Sequence, residues 1–177
     1  MLKAVILDLG NTLIEEVEDR AAPLDRLPVV AKAGAETLLT CCRAQGWALA
    51  LLSNTVQSDE KVLRRLLRRL GWHDWFAVVR GTCSEGSSHR PGKPAAVVFE
   101  EVLQALGCAP AEAVMVGDTW AADIVGATAV GMHAIWVGPT APDHPQPDTG
   151  HPMVFVGHAQ DIAQVVPCLL RLRDALA

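Results

Sequence analysis

The sequence predicts an α/β protein built on a buried parallel sheet. Three observations carry that prediction. Short apolar runs rich in β-branched residues recur along the 177 residues, each ending at a turn signal. Longer stretches with helical spacing separate them. Within each run the apolar residues are consecutive rather than alternate, as a strand covered on both faces requires. Half of the chain is hydrophobic, which is enough for one domain with a substantial core and cramped for two.

Taken in order, KAVILDL (3–9) reads as a first buried strand ending at a turn. VVAKAGAETLLTCCRAQG (29–46) reads as a helix stopped by Gly46, and WALALLSN (47–54) as the second strand. SDEKVLRRLLRRLG (58–71) reads as a helix with Ser58 as its cap and Gly71 as its stop. WFAVVRG (75–81) is the third strand, and KPAAVVFEEVLQALG (93–107) a helix with Pro94 in its first turn. AVMVGD (113–118), AADIVGATAVG (121–131) and HAIWVG (133–138) read as strand, helix and strand. TAPDHPQPDTGHP (140–152) is a Pro-rich loop, and a closing helix runs from about 159 to 175. The expected result is a three-layer, Rossmann-like domain with a parallel five-stranded sheet. Residues 14–33 leave room for a small flap and not for a lid domain, and one helix and one strand fill the stretch from Asn54 to Lys93, so 1–177 reads as a single domain.

Charge and composition remove several functional classes. A net charge of -5 argues against a general nucleic-acid binder. No apolar run approaches the roughly 20 residues of a membrane helix. Lys3 and Asp8 interrupt the N-terminus too early for a signal-peptide core, so a soluble, cytoplasmic protein without a membrane partner is expected. The five cysteines, Cys41, Cys42, Cys83, Cys108 and Cys168, are odd in number, irregularly spaced and without a C-x-x-C pair, which fits reduced thiols. Lys61, Arg64, Arg65, Arg68 and Arg69 form a basic stripe opposite Val62, Leu63, Leu66, Leu67 and Leu70; a solvated helix face is the plainer reading and an anionic partner the sharper one. Trp72 and Trp75 are expected beneath the third strand, and Trp120 either packs or meets substrate. His133 reads as structural. His144, His151 and His158 lack metal-ligand spacing.

Open parallel sheets bind ligands beyond the carboxyl ends of their strands, where strand order reverses. The residues at those ends are Asp8, Ser53, Asn54, Gly117 and Asp118, and Lys93 opens a helix that reaches the same edge. Two carboxylates gathered in a cleft repel each other until a cation joins them or one takes a proton. Oxygen donors of this kind suit Mg²⁺, which binds one or two carboxylates together with phosphate. Ser53 can hydrogen-bond a phosphate oxygen, and Lys93 can offset charge on a transferring phosphoryl group. Asp8 can act as a carboxylate nucleophile. Phosphoryl transfer fits this set better than any other chemistry it suggests.

The ordered motifs resemble those of the haloacid dehalogenase superfamily over nearly the whole chain. DLGNTL (8–13) resembles its first motif, LLSNT (51–55) its second, GKPAAVVF (92–99) its third and VMVGDTWAADIVGATAVGM (114–132) its fourth. The resemblance implies an aspartyl-phosphate on Asp8, with Asp8, Asp118 and the backbone carbonyl of Gly10 as Mg²⁺ ligands. Asp123 would lie behind them or bind through water, although an acid early in a helix also favours the dipole without further role. Ser53 and Lys93 would hold phosphoryl oxygens, Thr12 would steady the turn, and Asn11 and Asn54 would complete the phosphate site.

One departure matters most. Family phosphatases place a second Asp two residues after the nucleophile as general acid and base, a role worth roughly 10²–10⁴-fold. Here that position is Gly10. An easy leaving group, a water or another residue could compensate, with Glu15, Glu16 and His89 as candidates. Ala95 stands where many relatives have Asp, and Arg90 in SSHRPG (87–92) could add a phosphate contact. The expected activity is that of a Mg²⁺-dependent phosphohydrolase or phosphotransferase acting on a small-molecule or macromolecular phosphorylated substrate. The alternatives are a binding or regulatory module that retains the metal site, and dehalogenase-like or phosphonate cleavage. An open site also suggests a homodimer in which one subunit covers the other.

Overall fold

The computed structural model describes residues 1–19, 21–82, 91–140 and 154–177. Cys83, His89, Arg90, His144, His151 and most of the Pro-rich loop, all singled out above, lie outside the described residues.

Among the described residues the sheet has six parallel strands: β1 (Ala4–Leu7), β2 (Ala48–Ser53), β3 (Phe76–Gly81), β4 (Ala113–Gly117), β5 (His133–Val137) and β6 (Val156–Ala159). Their order is β3-β2-β1-β4-β5-β6. The expectation of five strands missed β6. Its residues VGHA carry no apolar run, and three of the four are half-buried at the sheet edge. It is a strand because Ala134, Ile135, Trp136 and Val137 of β5 pair with it.

The helices are α1 (Ala35–Ala44), α2 (Glu60–Arg69), α3 (Ala96–Leu106), α4 (Gly126–Ala129) and α5 (Val165–Ala175). Successive residues of a strand face opposite sides, and β1 and β2 use both. Val5, Leu7, Leu49 and Leu51 pack against α1, α2 and α5. Ala4, Ile6, Ala50 and Leu52 pack against α3 and α4, with Phe99 and Met115 in the same layer. Each such Leu, Ile or Phe contributes about 1.5–3 kcal/mol on full burial.

Several boundaries differ from expectation for identifiable reasons. Residues 29–34 are not helical, because Glu15 N–H donates to Val30 O and Lys32 N–H to Leu13 O, which ties this stretch to the first-motif loop. Gly34, at φ 94°, then turns the chain into α1. The cap of α2 is Asp59, whose carboxylate accepts from Val62 N–H, and not Ser58. Ser58 is buried and its Oγ accepts from Leu24 N–H. Pro94 follows a cis peptide bond and precedes Ala95, the residue before α3, so neither Lys93 nor Pro94 belongs to the helix. The expected helix at 121–131 is a π-helical stretch, Trp120–Val125, followed by the short α4. The closing helix starts at Val165, after β6 and a 3₁₀ turn at Ile162–Gln164.

The basic stripe of α2 is only partly a solvated face. Arg65 pairs with Asp25 at 2.5 Å, and Arg69 donates to the carbonyls of Asp25 and Leu27 at 2.6 Å. These contacts buckle the 3₁₀ turn Leu24–Arg26 onto α2, so that part of the 14–33 segment is a fixed wall. Arg64 pairs along the helix with Glu60. Trp72 is buried and Trp75 half-buried, with Arg43 over the Trp75 ring. His133 is buried, its ring bonded to Ala111 O and Phe155 N–H, and burial lowers its pKa, which fits the structural reading. The four described cysteines are free thiols. No described helix is long and apolar enough to cross a membrane.

Candidate active site

Strand order reverses between β1 and β4, since the chain moves outward through β2 and β3 before returning to the other side of β1. Asp8 follows β1 and Asp118 follows β4, so both sit at the switch point. Asp8 N–H donates to Val116 O, which carries the β1–β4 pairing one residue further and fixes Asp8 at the edge.

The two acids and the residues between them face an open cleft of about 390 Å³, lined also by Gly10, Asn11, Ser53, Asn54 and Lys93. Lys93 is the electrostatic centre. Its Nζ donates to Asp8 Oδ1 at 2.7 Å and to Asp123 Oδ1 at 2.6 Å. Burial opposes the ammonium charge, but the attraction of Asp8 and Asp123 outweighs it and the Lys93 pKa is raised. Burial pushes Asp123 up to about 6, with Lys93 opposing and the charge of Asp8 adding to the rise. Burial, and then the charge of Asp8, also raises Asp118.

Asp123 is fully buried and reaches this position from the π-helical stretch. Its Oδ2 accepts from Thr119 N–H at 3.0 Å. A Cβ on Gly117 would fall on this carboxylate, so the glycine of the fourth motif is the space that Asp123 occupies. Thr12, fully buried, donates from Oγ1 to Asp118 Oδ1 over 3.4 Å. Asn11 adopts φ 57° in the loop after β1, a left-handed conformation that Asn tolerates better than most residues, and its side chain also bonds Asp118.

Asn54 plays a part that its place in the sequence did not reveal. Its Nδ2 donates to Lys93 O at 2.8 Å, and its Oδ1 accepts from Lys93 N–H at 2.9 Å and from Thr82 Oγ1 at 3.2 Å. The carboxamide therefore holds the backbone of Lys93 at the wall of the cleft. A Cβ at Gly92 would stand 2.7 Å from that Oδ1, which accounts for the glycine before the lysine. Thr82 and Trp136 were missed altogether. Trp136 Nε1 donates to Asp118 O at 3.2 Å, while its ring stacks on His158 and meets the edge of Trp120. Trp120 thus packs beside the site. No local pattern marks Thr82 or Trp136, because each acts on a residue far away in sequence.

Carboxylate oxygens of Asp8, Asp118 and Asp123 lie within 4.8 Å of one another. Three acids against one ammonium leave an excess of negative charge, and an all-oxygen donor set is what a hard divalent cation such as Mg²⁺ takes. The residues therefore fit that ion. A second groove of about 460 Å³ adjoins the first at Asn11 and Asp118, with Glu15, Lys32 and Trp136 on its walls.

Comparison with known proteins bears on the family and the fold. A family model described as haloacid dehalogenase-like hydrolase matches residues 17–131. A glyceraldehyde 3-phosphate phosphatase of Methanothermobacter thermautotrophicus is 38% identical over 97 residues, 54% of this chain and 39% of that protein. A phosphoserine phosphatase of Thermus thermophilus is 39% identical over 103 residues, 58% of this chain and 39% of that protein. The chain thus spans about two fifths of the length of these relatives. A crystal structure of a protein of Listeria monocytogenes serotype 4b, described as uncharacterized, superposes with TM-score 0.86 at 35% identity, covering 98% of this chain and 99% of that one. A phosphatase of Thermococcus onnurineus shares the fold, with TM-score 0.69 at 19% identity over 95% of this chain and 98% of that one.

Proposed function

This chain belongs to the haloacid dehalogenase-like hydrolase family, and from that premise we propose that it is a Mg²⁺-dependent phosphohydrolase working through an aspartyl-phosphate on Asp8. The observation that carries the reading is Lys93 Nζ between Asp8 and Asp123, at 2.7 and 2.6 Å, beside Asp118 in an open cleft. A structural ion pair would not need a third acid at the same edge.

Mg²⁺ would be held by Asp8, Asp118 and the Gly10 carbonyl, with Asp123 behind them. When bound, it supplies positive charge to the phosphoryl oxygens and offsets the acids that would repel an incoming anion. Lys93 engages Oδ1 of Asp8, so attack is assigned to Oδ2. That oxygen bonds to phosphorus while the ester oxygen departs. Lys93, the Ser53 hydroxyl and amides near Asn11 receive the charge of the phosphoryl oxygens. Asp123 keeps Lys93 charged and oriented, Asn54 fixes its backbone, and Thr12 and Asn11 steady Asp118. Water then attacks phosphorus, the bond to Asp8 breaks and inorganic phosphate leaves. Nothing at position 10 can protonate a poor leaving group, so the reading favours substrates whose leaving oxygen departs without help.

Relatives named as phosphatases of glyceraldehyde 3-phosphate and phosphoserine support phosphomonoesters as the substrate class. We read 1–177 as one domain with the 14–33 segment as a fixed flap, and the open cleft as suited to a large substrate or to a second subunit lying over it. The test is phosphate release from an activated aryl phosphate and from a panel of natural phosphomonoesters, with Mg²⁺, with chelator and in Asp8→Asn. Turnover that needs both Mg²⁺ and Asp8 supports the reading. Gly10 favours a second reading, a binding module that keeps the metal site. Mg²⁺ binding by the folded protein without turnover of any ester would select it.

A further inference from the structure

The loop after Asp8 is closed by an unusual pairing. Leu9 O accepts from the amides of Thr12, Leu13 and Ile14, which winds the chain through one tight turn. Ile14 then forms a β-bridge with Gly10 on one side and with Ala31 on the other. The segment at Ile14 is thus held alongside, and parallel to, the position that lacks a carboxylate. Along an extended chain successive side chains face opposite sides, and residues 14–16 follow that rule. Ile14 and Glu16 line the cleft that holds Asp8, whereas Glu15 lines the neighbouring groove. Glu16 stands two residues beyond the bridge partner of Gly10, about 6–7 Å of extended backbone.

Gly10 leaves the intervening space open. A Cβ built there meets no atom within 4 Å. Among the described acids that line the cleft, Asp8 and Asp118 belong to the metal and nucleophile set, and Asp19 lies three residues beyond Glu16 along the chain. Among the described residues, Glu16 is thus a carboxylate that lines the nucleophile's cleft from the segment bridged to Gly10.

We propose that Glu16 is the general base for hydrolysis of the aspartyl-phosphate, taking over from outside the first motif the half of the proton work that Gly10 cannot do. The inference rests on the aspartyl-phosphate reading above. In this step a water oxygen bonds to phosphorus, the phosphorus–oxygen bond to Asp8 breaks, and the water's proton passes to the Glu16 carboxylate and on to solvent. Asp8 returns as a carboxylate, and inorganic phosphate departs. Glu16 acts here as a carboxylate, on an exposed residue at the rim of the cleft. Formation of the intermediate from an aryl ester needs no proton donor, so the two steps separate experimentally.

The experiment is rapid-quench and steady-state turnover of an aryl phosphate with Mg²⁺, using wild type, Glu16→Gln, Glu15→Gln and Asp8→Asn, each checked by thermal melting. Glu16→Gln is expected to release one equivalent of phenolate per active site in a fast burst, then to turn over about 10²-fold or more slower than wild type. Acid-quenched Glu16→Gln should carry bound phosphate, and Glu15→Gln should match wild type. Wild-type turnover in a folded Glu16→Gln overturns the proposal, as does a slowing confined to Glu15→Gln or one that abolishes the burst as well. Failure of the underlying reading looks different: Asp8→Asn would retain turnover, or wild type would release neither phenolate nor phosphate, and in either case the assignment of Glu16 falls with it.

Discussion

Placing a carboxylate at position 10 tests the chemistry most directly. Gly10→Asp is sterically available, since its Cβ meets nothing within 4 Å and the residue is not in a left-handed conformation. The new group would join Asp8, Asp118 and Asp123, with Lys93 the cation already bonded to two of them. Taking about 7 Å between carboxylates two residues apart and an effective dielectric constant near 20, the added repulsion from Asp8 alone is about 2 kcal/mol. In a domain of this size that corresponds to a fall of roughly 4–8 °C in Tm, recovered in part when Mg²⁺ is added. The gain is expected in the leaving group. A positioned general acid is worth roughly 10²–10⁴-fold, or about 2.7–5.5 kcal/mol of barrier, on an alkyl phosphate whose alkoxide departs poorly. On an aryl phosphate the gain should be small. The assay is therefore the ratio of kcat for an alkyl ester to kcat for an aryl ester, in wild type and variant. In the Gly10→Asp background, Glu16→Gln should also lose most of its effect. An unchanged ratio in a folded variant that binds Mg²⁺ would refute the claim that position 10 limits the acid step.

Lys93→Met removes the cation between two buried acids, and breaking such a pair costs about 3–5 kcal/mol; the melting temperature should fall accordingly and rise again with Mg²⁺, whereas indifference to the substitution would mean that the acids are already neutral. Gly117→Ala forces a methyl onto the Asp123 carboxylate, so a loss of about 1–3 kcal/mol from overpacking is expected, together with weaker Mg²⁺ binding by calorimetry. Because the pKa of Asp123 is pushed up to about 6 and that of Asp118 is raised, protons compete with the cation at low pH. Mg²⁺ affinity should therefore fall as pH drops through about 6, with proton release on binding near that pH and little at pH 8; comparing binding enthalpies in buffers of different ionisation heat measures it, and release that grows with pH would contradict the sign.

What the sequence determined by itself is what depends on near neighbours. The consecutive apolar residues of β1, β2 and β4 can only be covered on both sides, so these strands and the parallel sheet they form were legible, while their order in it was not. Asp8, Ser53 and Asp118 stand immediately after or at the end of such strands, and strand ends in a parallel sheet face one edge. The gathering of Asp8 and Asp118 with Lys93 was legible at that edge, whereas Asp123, which comes from the π-helical stretch, was expected there only through the resemblance. What only the tertiary structure decided depends on partners distant in the chain. β6 exists because β5 offers it an edge, and its own residues carry no signal. Asp59 rather than Ser58 caps α2 because Ser58 is taken by Leu24, 34 residues away. The carboxamide of Asn54 holds the Lys93 backbone because the chain brings that backbone against it from 39 residues away, which no local pattern shows. Glu15 and Glu16 are equivalent as letters. Bridges of Ile14 to Gly10 and to Ala31 fix which of them lines the nucleophile's cleft, because a strand paired on both sides cannot rotate about its own axis.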